Sequence, residues 1–69
     1  MTDLKRLGDK IEKLRKEKGL TQEKLAELAE IDPKTVIQIE NAKRRNPTLE
    51  TLSKIAKALN TTSTELLSS

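Results

Sequence analysis

No phenylalanine, tyrosine, tryptophan, cysteine or histidine occurs anywhere in this 69-residue chain, and that absence limits the fold more than any motif does. Without cysteine there is no disulfide staple, and without cysteine or histidine the usual zinc ligands are missing. A chain this short buries only about 60% of its unfolded surface, so Leu, Ile, Val and Ala must build an economical core by themselves. Short amphipathic helices, each giving one aliphatic stripe to a shared interior, meet that demand. No apolar run exceeds three residues and the opening "MTDLKRLGDK" is charged throughout, so neither a signal peptide nor a membrane span is expected. The expectation is a cytoplasmic protein with no metal and no cofactor. Catalysis without His or Cys would need carboxylates or lysines in a concave apolar site, for which so small a chain has little room. No catalytic residue is assigned and an enzyme is not expected.

The formal net charge of +3 and pI near 9.4 hint at an anionic partner, and the distribution says more than the total. One dense basic cluster, Lys43-Arg44-Arg45, falls between two helical patterns. The remaining charges mix signs along helix faces, with Asp9/Lys13 and Glu12/Lys16 at the i,i+4 spacing of solvated ion pairs.

Five short helices account for the chain as a single domain, residues 1–69. Leu4, Leu7, Ile11 and Leu14 recur at helical spacing, and Gly19 after the cationic turn Arg15 to Lys18 predicts a first helix from about Asp3 to Lys18. Thr21 suits the N-cap of a second helix of about eight residues that turns Leu25, Leu28 and Ala29 inward, with Leu20 packing back onto it. Asp32-Pro33 opens a third helix, because Asp accepts from a first-turn N–H and Pro suits the first helical position. The break therefore falls at Glu30-Ile31, and Val36 and Ile39 point inward. Pro47 closes a polar, basic loop, and Thr48 caps a fourth helix with the stripe Leu49, Leu52, Ile55, Ala56 and Leu59 up to Asn60. Thr62 and Glu65 have capping-box spacing ahead of Leu66 and Leu67.

The second and third helices are separated by the short connection of a helix-turn-helix, spanning residues 22–41. With Val36 and Ile39 facing the core, helical angles put Lys34, Ile37, Gln38 and Asn41 together on the opposite side. An isoleucine on water-exposed helix surface has no obvious use except to meet a partner, a DNA base or else another protein chain. Gln can make a paired hydrogen bond to adenine, Lys can donate to guanine, and Ile37 and the Pro33 ring can pack on a thymine methyl.

The pieces "GLTQEKLAELA", "VIQIE", "NPTLETL" and the close "ALN" with "ELL" resemble the lambda-repressor-like helix-turn-helix family, the phage repressor and Cro type, over about Leu7 to Leu67. The resemblance implies an all-α, five-helix DNA-binding domain, bacterial or phage-encoded. Its second helix lies across the DNA backbone and its third enters the major groove. It implies base contacts from Pro33, Lys34, Ile37 and Gln38. Backbone contacts are implied for Gln22, Thr35 and Asn41, and for Lys43, Arg44 and Arg45 in the loop. It further implies an internal ion pair between Arg15 and Glu40, and a homodimer, at least on DNA, on a pseudo-palindromic operator. Leu66, Leu67 and the basic loop would form the pairing surface. Three positions depart from the family's pattern. Glu30 and Ala42 stand where glycine is usual, so at Glu30 either a left-handed residue carries a cost of about 1 kcal/mol or the turn is built differently. Asp32 puts a carboxylate at the DNA-facing end of the third helix, where it would repel a phosphate or restrict the bases accepted.

The function expected is a sequence-specific, double-stranded DNA-binding transcriptional regulator acting as a repressor. An antitoxin or a restriction-modification controller would share the same fold. A helical module bridging other proteins is the reading from a different class, and there Arg44 and Arg45 would be dispensable.

Overall fold

Short hydroxyl and carboxylate side chains set the start of every helix after the first. A computed structural model describes residues 4–42 and 47–68. It shows α1 (Leu4–Glu17), α2 (Gln22–Ala29), α3 (Pro33–Glu40), α4 (Leu49–Ala58) and α5 (Ser63–Leu67). Thr21, Thr48 and Thr62 accept through Oγ1 from the backbone N–H of Lys24, Thr51 and Glu65 at 3.0, 3.1 and 3.0 Å. Asp32 accepts from the N–H of Lys34 at 2.8 Å, with Pro33 at the first helical position. Each cap satisfies a donor that the helix cannot satisfy internally.

Three helix ends close alike. Gly19, Glu30 and Asn60 have φ of 69°, 58° and 60°, and the next residue donates to the carbonyl five back: Leu20 to Arg15, Ile31 to Ala26 and Thr61 to Ala56, at 3.1, 3.0 and 2.8 Å. This is the left-handed close that glycine makes most cheaply. Of the two alternatives at Glu30, the structure therefore takes the left-handed one, and Ala42 after α3 does the same with φ of 55°. Glu30→Gly should raise the unfolding free energy by about 1 kcal/mol, read as a higher urea midpoint at unchanged slope.

The core is wholly aliphatic. Leu7 and Ile11 of α1, Leu25, Ala26 and Ala29 of α2, Val36 and Ile39 of α3, Leu52, Ile55 and Ala56 of α4, Leu59 after it and Leu66 of α5 are all buried. Leu14, Leu20 and Ile31 pack on their margin. The helices close a circuit in which α2 packs on α3 and α4, α1 on α3 and α5, and α4 on α5. Lys10 clasps the joint between α1 and α5, Nζ donating to the carbonyls of Glu65 and Ser68 at 2.6 and 3.3 Å. Among the described residues no helix is long and apolar enough to cross a membrane.

Gly8 lies on the α1 face that crosses the end of α3. A Cβ there would stand 2.9 Å from the carbonyl oxygen of Glu40 and closer still to that of Ile39, so the two backbones meet directly.

Several sequence expectations need correction. Leu28 is 49% exposed, because Leu25, Ala26 and Ala29 define an inward arc and Leu28 lies about 60° beyond its edge. Leu49 shares the angular face of α4 but occupies its first position, and it is 68% exposed. Leu66 is 1% exposed and completes the chain's own core, so it is unavailable as a pairing surface, whereas Leu67 is exposed. Asp9 pairs backward with Lys5 at 3.1 Å rather than forward with Lys13, while Glu12 and Lys16 do meet, at 3.6 Å. Helix α1 ends at Glu17, with Lys18 in the turn.

Candidate nucleic-acid interface

The orientation of α3 follows from its two ends and its inner side. Asp32 and Pro33 fix where it starts, and Val36 and Ile39 anchor it against α2 and α1. Its last turn closes with Asn41 donating to the carbonyl of Ile37 at 3.0 Å. The opposite side is then set by geometry: Pro33, Lys34, Ile37 and Asn41 are exposed, and Gln38 and Thr35 are half-buried. Ile37 shows 37% of its surface. Lys34, Ile37, Gln38 and Asn41 thus lie along one outward strip, with Pro33 and Asp32 at its beginning. Lys43, Arg44 and Arg45 lie outside the described residues.

Behind that strip, α3 is tied to α1 by charge. Arg15 donates through Nε to Glu40 Oε2 at 2.7 Å and through Nη2 to Oε1 at 3.0 Å, a fork on a carboxylate. The Glu40 side chain is 1% exposed. The third donor of Arg15, Nη1, reaches the carbonyl of Leu20 at 2.7 Å, securing the turn into α2. Glu12 lies at the edge of ion-pair range, 4.0 Å from Nη2. The hydrogen bond to Glu40 holds the Arg15 guanidinium above its ordinary pKa, against the opposing effect of burial.

Gln22, the first residue of α2, joins this group. Its Nε2 donates to Glu40 Oε1 at 3.0 Å, a link that the sequence did not disclose. Two further features were missed, the close approach at Gly8 and the clasp made by Lys10. Only Gly8 left a trace in the sequence, since a glycine between Leu7 and Ile11 weakens a helix without evident return.

Comparison with known proteins agrees with this geometry. The sequence pattern described as helix-turn-helix matches residues 11–66. The control protein C.MunI of a Mycoplasma species is 46% identical over 99% of this chain and 93% of its own length. The crystal structure of the restriction-modification controller C.AhdI from Aeromonas hydrophila superposes with a TM-score of 0.87 at 39% identity, covering 93% of this chain and 96% of that one. SinR, the master regulator for biofilm formation, solved in complex with DNA, superposes at 0.86 with 32% identity, covering 90% and 98%. Helix order, capped turn and the matched stretch from the middle of α1 into α5 lead to one assignment: the chain belongs to the helix-turn-helix family, in its lambda-repressor-like form.

Proposed function

We propose that this chain is a sequence-specific, double-stranded DNA-binding regulator of transcription that acts as a homodimer on a pseudo-palindromic site. In this reading α3 enters the major groove and α2 lies across the backbone. The observation that carries it is the outward strip of α3: an isoleucine 37% exposed between a lysine and a glutamine, on a helix whose other side is sealed in the core. Apolar contact with a thymine methyl, bidentate bonding to adenine and donation to guanine are the chemistry such a strip offers. Pro33, Lys34, Ile37 and Gln38 are the proposed base contacts. Gln22, Thr35, Asn41 and the loop residues Lys43, Arg44 and Arg45 are the proposed backbone contacts. A narrower reading, a restriction-modification controller, is supported by C.MunI and C.AhdI, both similar along nearly their whole length.

Selection of binding sites from a random duplex pool at fixed near-physiological salt tests the proposal. Enrichment of a palindrome whose half-sites lie about 34 Å apart is the expected result. A pool that stays flat would sink it. On the selected site, Gln38→Ala should cost about 1–3 kcal/mol of binding and relax preference at one base position. Replacing Lys43, Arg44 and Arg45 by alanine should weaken all sequences alike and lower the salt slope by about 0.9 for each phosphate no longer neutralised.

A further inference from the structure

Gln22 stands at the start of α2, yet its carboxamide is anchored from behind. Nε2 donates to Oε1 of Glu40 at 3.0 Å, and that carboxylate is gripped in turn by two bonds from Arg15. With its side chain 1% exposed, Glu40 has no solvent into which to swing. Only the amino side of a carboxamide can face a carboxylate, since its oxygen has no hydrogen to offer there. The ion pair therefore settles which way Gln22 is flipped. An amide nitrogen carries two hydrogens, one committed to Glu40 and the other directed away from it.

Building on the DNA-binding reading above, we propose that Glu40 is a positioning residue for a DNA backbone contact: held by Arg15, it aims the second N–H of Gln22 at a phosphate oxygen. A charged pair inside the fold would then act at the surface through a neutral side chain. Because the carboxamide is already oriented, the contact forms without the loss of rotamer freedom that a long side chain normally suffers on binding. Like the lysine and arginine contacts it is blind to sequence, and one signature separates it from them: being uncharged it displaces no counterion, so its removal leaves the salt slope unchanged.

The test uses the full chain and random-sequence duplex DNA at low salt as the probe. In isotope-labelled protein, the Gln22 amide hydrogen facing Glu40 should exchange slowly before DNA is added, and its partner on the same nitrogen should shift on titration with the duplex. Gln22→Ala should weaken binding about tenfold at unchanged salt slope. In an Arg15→Met/Glu40→Leu background, the same substitution should change affinity less than twofold. Equal losses in both backgrounds would show that Gln22 acts without Glu40 and overturn the proposal, as would a Gln22→Ala protein that binds normally. Should the paired replacement fail to fold, the exchange measurement still decides, since two fast-exchanging hydrogens at Gln22 would refute the anchoring. A protein whose Gln22 amide is immobile but which binds no duplex would defeat the DNA reading itself, and this proposal with it.

Discussion

Arg15→Ala is expected to cost about 3–5 kcal/mol of unfolding free energy, because it strands the buried Glu40 carboxylate without its fork of donors. At about 0.05–0.15 kcal/mol per residue, the whole stability of a chain this size is roughly 3–10 kcal/mol, so the loss takes from about a third of it to all of it. The chain has no tryptophan or tyrosine, so urea titration followed by far-ultraviolet circular dichroism is the measurement. Removing both charges in Arg15→Met/Glu40→Leu should recover much of the loss, since no uncompensated charge remains in the interior. The bonds from Arg15 to Leu20 and from Gln22 to Glu40 go as well, so recovery should fall short of complete. An Arg15→Ala protein as stable as the parent would mean that Glu40 finds water or another donor on its own.

Gly8→Ala should destabilise the fold by about 1–3 kcal/mol, and the sign is the informative part. In an exposed helix interior the same change stabilises by about 1 kcal/mol, because alanine is the better helix former. Here the new methyl would meet the carbonyl oxygens of Ile39 and Glu40. Those oxygens belong to helical backbone and cannot swing aside as a side chain could. Relief requires α1 to move off the end of α3, which would also stretch the Arg15 to Glu40 fork. The two substitutions should therefore be non-additive. Lys13→Ala, at an exposed position on the same helix, is the control and should stay within about 0.5 kcal/mol of the parent. A stabilised Gly8→Ala protein would contradict the close approach.

What the sequence disclosed was mainly local. Thr21, Asp32, Thr48 and Thr62 each bond within three residues of themselves, so their capping roles could be read from spacing alone. The stripe Leu52, Ile55, Ala56 and Leu59 was legible for the same reason. Errors came where a third dimension decides. Leu28 and Leu49 are apolar at nearly inward positions, and whether they are covered depends on how far a neighbouring helix extends, which periodicity does not carry. Leu66 was given to a partner surface by resemblance and was instead claimed by its own core. The Gln22 link to Glu40 spans eighteen positions, and no pattern of residue types marks which glutamine meets which glutamate. The outward strip of α3 was legible because the inward residues of a helix fix its outward ones.

Left-handed residues flank α3, Glu30 two positions before its cap and Ala42 just past its end. Both carry a Cβ, which narrows the backbone angles open to them far more than glycine would. The joints on either side of the helix are accordingly stiff, and a helix on stiff joints has less wandering to give up when it settles into a groove. Glycine at Glu30 would relieve the strain and firm up the fold while making one joint supple. The Glu30→Gly protein should therefore melt later and hold its DNA less tightly, a division between endurance and grip that the two side-chain-bearing turns keep on the side of grip.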